Sequence, residues 1–336
     1  MALNLSNLHV LLVFFVSGLV YQSYVPTEIY SSGAMVTFLL HDTIYYRSVT
    51  HRSGWKIAMA YLIEKGTVME RTEHFTPGHN MLLLDLTERH FLWENLGVIN
   101  QPWLGITHMV MDAPEHFEAP VHLENVLNHP DFLKSLKFCQ GIVCFSKNAA
   151  RNVQEFLDSK LPEVPKIHVC ALHHPITTEG VEPFMSDVDL EVLVQNRSAG
   201  VLFLGQQYRR LATIHQLKTS RKKLWLPGYK LNTTEFDILK GKVEKELGIA
   251  KCESDPSVEV IYSHSFSDYA RLLKQNIVIV DLWAATANNA ILEAIGLQIP
   301  MLIRRIDSTE EYLGNSYPLF LTQQKNWQYS LLIHQS

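Results

Sequence analysis

Short apolar runs alternate with helical patterns along most of this chain. Residues 277–306 show the pattern most clearly, because the runs IVIV and MLI flank a polar turn and a short helix. A strand that is covered on both faces needs such uninterrupted apolar runs, and the crossover between two parallel strands is right-handed. This segment therefore predicts a strand, a helix and a second, parallel strand.

The same alternation extends over much of the remaining chain. Further strands are predicted at residues 35–40, 81–86, 103–111, 141–146, 166–172, 200–204, 223–226 and 258–261. Helices are predicted at residues 54–65, 130–138, 147–160, 208–219, 232–247 and 267–275. Such alternation is typical of parallel sheets covered by helices, so the predicted fold class is α/β.

An irregular, acidic stretch interrupts this alternation at residues 176–196. A length of 336 residues also suits two domains of ordinary size better than one. We therefore predict an N-terminal domain at residues 1–180, a linker at 181–198 and a C-terminal domain at 199–336. Both domains are expected to be Rossmann-like and doubly wound, and to face a cleft.

Charge and cysteine content exclude some classes of function. The net charge of -5 argues against nucleic acid as a partner, because binding to a phosphate backbone requires a basic face. The four cysteines have neither the paired spacing of a metal site nor the density of a disulfide framework. We interpret them as reduced thiols of the core.

An apolar segment lies near the N-terminus, at residues 8–20. It has the length of a signal-peptide core rather than of a membrane span of roughly 20 residues. No lysine or arginine precedes Arg47, so the basic start of a signal peptide is missing. The sequence favours a cytoplasmic location. A secretory or membrane-associated location is the alternative, with weak membrane association through this segment.

Polar side chains follow the strand at residues 277–280, at the end where a parallel sheet binds its ligands. They are Asp281, Thr286, Asn288, Asn289 and Glu293. Asn289 precedes Glu293 by one helical turn on the same face, and the start of a helix attracts anions such as phosphate. This grouping favours a site for hydroxyls and phosphates. The alternative is a surface glutamate that stabilises the helix dipole.

Residues 293–300, EAIGLQIP, resemble the donor-binding motif of the GT-B glycosyltransferases that are related to glycogen synthase and sucrose synthase. In that group a helical glutamate, followed by small residues and a proline, binds the ribose of a nucleotide-sugar donor. The resemblance implies this role for Glu293, with Thr286, Asn288 and Asn289 in the same donor site. The group's other glutamate would stand where this chain has Ala285. The identity of the sugar and the choice between retention and inversion therefore stay open.

Residues 201–210, VLFLGQQYRR, predict a strand, a glycine turn and a helix that begins with two arginines. In the resemblance, this loop approaches the diphosphate of the donor. Gly205 would let the backbone come close, and Arg209 or Arg210 would neutralise the phosphates in place of a metal ion. The alternative is an ordinary turn at Gly205 with two solvated arginines.

His108 ends a predicted strand in the N-terminal domain. The resemblance implies a histidine or an acid near this position that faces the acceptor, and an imidazole titrates near neutral pH. We therefore predict His108 and Asp112 as catalytic residues. Glu115 is a rival for this role, and a purely structural role for His108 is the alternative.

Together, the resemblance and these residues predict a hexosyl- or pentosyltransferase. The N-terminal domain would bind a glycan, lipid or protein acceptor, and the C-terminal domain would bind the nucleotide-sugar donor. The donor is a co-substrate, so neither a cofactor nor a metal ion is expected. Two alternatives stay open. One is a nucleotide-sugar epimerase with a similar fold, and the other is an inactive homologue that binds nucleotide sugar, as Ala285 suggests.

Overall fold

The computed structural model describes about three fifths of the chain, which divides into two compact units. The first unit includes the described residues up to 111 and those from 122 to 174, and the second includes residue 113 and those from 195 to 321. The predicted linker at 181–198 lies almost wholly outside the described residues, so the predicted domain bounds stay a prediction. The described residues are 37–40, 63, 68–70, 80–84, 86–111, 113, 122–160, 167–174, 195–196, 198–228, 233–247, 257–263, 265–286 and 288–321.

Within its described residues, the first unit contains a six-stranded parallel sheet. Its strands are β1 (Thr37–Leu40), β2 (Val68–Glu70), β3 (Asn80–Leu84), β4 (Trp103–Thr107), β5 (Cys139–Cys144) and β6 (Val169–Ala171). Their order across the sheet is β2-β1-β3-β4-β5-β6, and all the pairings are parallel. Five of the six strands fall where apolar runs predicted them. β2 was missed because its three residues, VME, form no apolar run.

The described part of the second unit contains another six-stranded parallel sheet. Its strands are β7 (Val201–Leu204), β8 (Lys223–Leu226), β9 (Val258–Val260), β10 (Ile277–Val280), β11 (Met301–Arg304) and β12 (Phe320–Leu321). Their order is β12-β11-β10-β7-β8-β9. Read from the other edge, this is the strand order 3-2-1-4-5-6 of the Rossmann fold. The predicted fold class, α/β with two Rossmann-like domains, is confirmed.

Short and medium helices connect the strands. The first unit has a π-helix (Arg89–Trp93), α1 (Leu123–Leu127), α2 (Pro130–Ser135), a 3₁₀ turn (Leu136–Phe138) and α3 (Lys147–Lys160). The second has α4 (Ala212–Gln216), α5 (Thr233–Leu247), α6 (Phe266–Gln275), α7 (Asn289–Gly296) and α8 (Asp307–Leu313). The predicted helix at 147–160 agrees with α3 at both ends. Most of the predicted helix at 54–65 lies outside the described residues.

The predicted helix at 208–219 is wrong in its first turn. Tyr208 has a positive φ of 54°, and Arg209 forms an isolated antiparallel bridge with Leu282. A left-handed residue cannot continue a right-handed helix, so α4 begins only at Ala212. The two arginines therefore lie in a loop that is held by the segment after β10, and not in a helix.

Apolar side chains cover both faces of the second sheet. Val201 and Phe203 pack into one hydrophobic cluster, whereas Leu202 and Leu204 pack into the other. Successive side chains of a strand point to opposite faces, so a strand buried on both faces needs an unbroken apolar run. This requirement is the physical reason why VLFL and IVIV identified their strands from sequence alone.

The cysteines of the described residues are free thiols. Cys139 and Cys144 are buried and Cys170 is half-buried. Burial raises the pKa of Cys144 to about 12, so this thiol stays protonated and weakly reactive at neutral pH. Among the described residues, no helix is long and apolar enough to cross a membrane. The apolar segment at 8–20 lies outside them.

Candidate functional site

The strand order of the second sheet defines where this unit can bind a ligand. From β7 the chain winds outward through β8 and β9, then returns to the other side of β7 to form β10. Doubly wound sheets bind ligands outside the carboxyl ends of the two strands at which the winding reverses. The loops after β7 and β10 lie at this point, and they contain most of the residues that the sequence predicted for donor binding.

Gly205 follows β7 directly and adopts a conformation that favours glycine. Its φ is +79°, and a Cβ atom at this position would lie 2.8 Å from Nη2 of Arg209. Its amide donates to the carbonyl of Leu226 at 2.8 Å, and its carbonyl accepts from Nε1 of Trp225 at 2.9 Å. The group that comes close to Gly205 here is the chain's own guanidinium, and the predicted approach of this backbone to a donor diphosphate stays a prediction.

Arg209 is buried, with only 4% of its surface exposed. Its Nε donates to the carbonyl of Leu204 at 2.7 Å, and its Nη1 donates to the carbonyl of Gln207 at 2.8 Å. Its Nη2 donates to Oδ1 of Asn288 at 3.1 Å. The guanidinium therefore fixes the loop after β7 and joins it to the residue that precedes α7, so the alternative of a solvated Arg209 is wrong.

The charge of Arg209 is retained at neutral pH. Burial lowers its pKa to about 10, and the electrostatic influence of Tyr269 and Asp281 opposes this shift. Among the described residues, no carboxylate lies within ion-pair distance of this guanidinium. Its described hydrogen-bond partners are two backbone carbonyls and an amide oxygen, which carry partial charges only. A buried cation therefore lies at the point where the winding of the second sheet reverses, and these groups do not neutralise its charge.

Arg210 has a different environment from Arg209. It is half-buried, and its guanidinium lies over the ring of Trp283 at 3.6 Å from the ring centroid. Its amide donates to the carbonyl of Asp281 at 3.0 Å, and the amide of Trp283 donates to the carbonyl of Tyr208 at 2.9 Å. These contacts tie the loops after β7 and β10 together, and Arg210 adds a second cation to the loop after β7.

The start of α7 contains the remaining predicted donor residues. Asn288 is the N-cap, and its Oδ1 accepts from the amide of Ile291 at 3.4 Å as well as from Arg209. Asn289 is the first helical residue and is half-buried. Thr286 is buried, and its carbonyl accepts from the hydroxyl of Tyr312 at 3.4 Å.

Glu293 lies in the second turn of α7 and is 4% exposed. The alternative of a surface glutamate at the helix start is therefore wrong. Burial of a carboxylate costs free energy unless partners compensate for it, so its presence here requires a structural or functional reason. Its role in donor binding stays a prediction.

Asp281 has a structural role at the same sheet edge. Its Oδ1 accepts from Nε of Arg304 at 2.5 Å, and its Oδ2 accepts from Nη2 of Arg304 at 3.1 Å and from Oγ1 of Thr213 at 2.7 Å. Both residues of the ion pair are buried. Asp281 therefore links β10, β11 and α4.

The carboxyl edge of the first sheet places His108 directly after β4. Its amide donates to Oε1 of Glu88 at 2.6 Å, and the next amide, that of Met109, donates to the same oxygen at 2.8 Å. The half-buried imidazole packs edge-on against Phe145, with ring centroids 4.5 Å apart. Asp112 and Glu115 lie outside the described residues, so their predicted roles stay predictions.

Sequence reasoning missed Glu88, and the reason is physical. Glu88 lies in a polar stretch, TERH, that has the composition of an ordinary loop. Its contact with His108 joins positions 20 residues apart, and no local pattern encodes it. The link between Arg209 and Asn288 spans 79 residues and was missed as a pair for the same reason, although each residue was predicted by itself.

Metal ligands do not cluster in the part of the chain that the structure describes. There, no group of three or more His, Cys, Asp or Glu side chains could hold a metal ion. The predicted independence from metal ions stays a prediction.

Comparison with known proteins finds similarity only among solved structures. No protein-family model and no curated protein matches this chain. An α,α-trehalose-phosphate synthase (UDP-forming) from Burkholderia vietnamiensis is 13% identical, with a TM-score of 0.48 over 76% of this chain and 62% of the other. The chain thus spans 62% of the length of that structure.

Two further structures have a similar degree of likeness. A point mutant of TarM from S. aureus, in complex with fondaparinux, α-GlcNAc-glycerol and UDP, is 10% identical, with a TM-score of 0.49 over 82% of this chain and 51% of the other. The N-terminal domain of the Candida albicans trehalose-6-phosphate phosphatase is 14% identical, with a TM-score of 0.43 over 79% and 62%.

Proposed function

We propose that this chain is a glycosyltransferase that moves a sugar from a nucleotide-sugar donor to an acceptor hydroxyl without a metal ion. One observation carries the proposal: the buried guanidinium of Arg209, with no described carboxylate in ion-pair distance, at the point where the winding of the second sheet reverses. A buried cation that retains its charge is stabilised by an anionic ligand. The diphosphate of a nucleotide sugar is such a ligand.

The groups around Arg209 support a diphosphate rather than an isolated anion. Arg210 adds a second cation on the same loop, and the start of α7 adds backbone amides and the positive end of a helix dipole. When the donor reacts, the departing nucleoside diphosphate gains negative charge. Fixed positive groups stabilise that charge in the transition state, which is the role a metal ion has in other enzymes.

Glu293 is the proposed ribose ligand. It lies one turn after Asn289 on α7, and a carboxylate accepts hydrogen bonds from the two ribose hydroxyls. Thr286 and Asn288, just before the helix, complete the proposed donor site. The sugar itself is not specified by these residues, because Ala285 stands where the related enzymes have a second glutamate.

His108 is the proposed acceptor-side residue, with Asp112 beside it in sequence. Its imidazole lies at the carboxyl end of β4, partly accessible and held by packing against Phe145. A neutral imidazole can accept the proton of an acceptor hydroxyl or orient that hydroxyl by a hydrogen bond. The acceptor is proposed to be a glycan, a lipid or a protein hydroxyl.

A binding and turnover experiment tests the proposal. Thermal shift with nucleoside diphosphates and nucleotide sugars in EDTA should identify a ligand that stabilises the folded state, by about 2.7 kcal/mol at roughly 100 times its Kd. The best donor is then incubated with a broad panel of sugar, lipid and peptide acceptors. We expect acceptor-dependent release of nucleoside diphosphate in EDTA, and NMR of the product gives its stereochemistry.

The same experiment separates the competing hypotheses. Epimerised nucleotide sugar that forms without any acceptor would identify an epimerase. Binding without consumption of any donor, with or without acceptors, would identify an inactive binding protein. Turnover that stops in EDTA and returns with a divalent cation would overturn the metal-independent mechanism.

A further inference from the structure

Glu88 is a fully buried carboxylate at the carboxyl edge of the first sheet, with 0% of its surface exposed. It lies just before the π-helix, and its Oε1 accepts from two consecutive amides, those of His108 and Met109, at 2.6 and 2.8 Å. Those amides belong to the first two residues after β4. A single carboxylate oxygen therefore fixes the peptide that carries the proposed acceptor-side imidazole.

Two neighbouring residues fix the position of Glu88 itself. Oγ1 of Thr87 donates to the carbonyl of Ile106 at 2.9 Å, so the segment is attached to β4 on both sides of Thr107. Gly105 makes this approach possible. A Cβ atom at position 105 would lie 2.7 Å from Oγ1 of Thr87, which is too close for any other residue without movement.

The imidazole of His108 is held separately, by aromatic packing. Its ring lies edge-on to Phe145 at 4.5 Å, and Phe145 in turn lies 4.7 Å from the ring of His174. The centroids of the two imidazoles are 6.2 Å apart. Phe145 follows β5 and His174 follows β6, so residues after three neighbouring strands contact one another here.

The fold of β4 does not by itself require a carboxylate at position 88. β4 is paired with β3 at residues 103–105 and with β5 at residues 103–107, and these backbone pairings already determine its register. A buried carboxylate is costly, and a neutral oxygen acceptor would satisfy the same two amides. What a carboxylate adds is stronger, charge-assisted hydrogen bonds, which restrict the peptide at residues 108–109 more tightly.

We propose that Glu88 is a positioning residue for His108, which holds the imidazole where it meets the acceptor hydroxyl. This inference rests on the proposed function. Glu88 touches no substrate in this proposal and acts only through the peptide and ring of His108. Catalysis depends steeply on such placement, because displacement of a catalytic group by about 1 Å can lower the rate on the order of a hundredfold.

Glu88→Gln is the main test, because it keeps the size of the side chain and an acceptor oxygen but removes the charge. Hydrogen exchange at the amides of His108 and Met109 should become roughly five- to tenfold faster, while amides in the centre of β4 exchange as before. Unchanged exchange at both amides would overturn the inference. Glu88→Asp, which keeps the charge on a shorter side chain, serves as the second variant if Glu88→Gln lowers the folded fraction.

Kinetics in two backgrounds distinguish positioning from a merely structural role. In the wild-type background, Glu88→Gln should lower kcat about tenfold with little change in the KM for the donor. In the His108→Ala background, the same substitution should lower kcat by less than about twofold, since its effect passes through His108. Equal losses in both backgrounds, or no loss in either, would contradict the proposal.

Glu124→Gln is the matched control, because Glu124 is an exposed carboxylate on α1 of the same unit. It should leave both the exchange rates and kcat unchanged. If the wild-type chain turns over no donor, the proposed function fails and this inference fails with it. If the enzyme is active and the losses of kcat from Glu88→Gln and His108→Ala are additive, this inference fails while the proposed function stands.

Discussion

At the carboxyl edge of each sheet, a buried charged side chain binds backbone groups of a loop, and the two charges have opposite sign. In the first unit the buried group is the carboxylate of Glu88, which accepts from two backbone amides. In the second it is the guanidinium of Arg209, which donates to two backbone carbonyls and to Asn288. In one parallel sheet backbone amides thus bind a carboxylate, and in the other backbone carbonyls bind a guanidinium.

This difference indicates what each edge can bind. The edge of the second sheet combines Arg209 with Arg210 and the start of α7, so its fixed charges favour an anion. The edge of the first sheet uses its carboxylate to hold a peptide and presents an imidazole, which suits a neutral hydroxyl that loses a proton. The proposed transfer of a sugar to a hydroxyl would use one group of each kind.

The largest expected effect is on stability and concerns Asp281. Asp281→Asn removes one partner of the buried pair with Arg304 and should lower the free energy of unfolding by about 3 to 5 kcal/mol. The nucleotide affinity of the folded protein should not fall, because Asp281 is assigned a structural role. Urea unfolding and calorimetry measure the two quantities. The control is Asp268→Asn, which breaks a solvent-exposed pair on α6 and should cost at most about 1 kcal/mol.

This prediction tests the comparison because it distinguishes the roles of the two buried arginines at the carboxyl edge of the second sheet, Arg209 and Arg304. Arg304 is paired with a carboxylate, whereas no described carboxylate lies within ion-pair distance of Arg209. A nucleotide affinity that drops in Asp281→Asn with stability intact would place Asp281 in the ligand site. The distinction between a structural pair and a ligand-binding cation would then be wrong.

Arg209→Met should have the largest effect on binding. Methionine retains part of the apolar volume but removes the cation, and loss of one partner of a buried charge pair costs about 2 to 5 kcal/mol of binding free energy. Calorimetry with the best nucleoside diphosphate from the ligand screen measures this loss. Arg271→Met, at an exposed arginine of α6, should change the affinity little.

If Arg209→Met keeps its full affinity for the nucleoside diphosphate, the comparison between the two sheet edges is wrong. Arg209 would then be a structural link between the loop after β7 and Asn288. The carboxyl edge of the second sheet would have no special preference for anions. The salt dependence of the nucleotide affinity provides an independent test. Screening weakens exposed charges more than buried ones, so the contribution of half-buried Arg210 should decrease with salt more than that of Arg209.

The sequence predicted the sheets well because burial on both faces leaves a local signal. Runs such as VLFL and IVIV identify a buried strand without any knowledge of its neighbours. The start of α4 was predicted wrongly, because the left-handed Tyr208 and the bridge from Arg209 to Leu282 are tertiary features. There, the contact with the segment after β10 determines the backbone conformation, and local helix propensity does not.

The residues of the candidate site were predicted one by one, but not their partners. Gly205 follows a strand and Asn288 precedes a helix, where position alone suggests a function, whereas Arg209 was assigned to a helix start that the structure does not have. The burial of Arg209, its link to Asn288 and the role of Glu88 depend on residues that are distant in sequence. A pattern of single positions carries no information about such pairs, so only coordinates could provide them.

Glu293→Gln should have the smallest of these effects. Ribose hydroxyls would lose a charged acceptor, and hydrogen bonds to charged groups contribute about 1.5 to 3 kcal/mol, so nucleotide affinity should fall by up to that amount. Calorimetry with a nucleotide that lacks the ribose hydroxyls provides the decisive contrast, since it should bind the wild type and Glu293→Gln equally. The control is Glu259→Gln on β9, where the carboxylate forms an exposed pair with Lys222. Equal losses for both nucleotides would mean that Glu293 acts through the packing of α7, and the ribose would then have to be bound elsewhere.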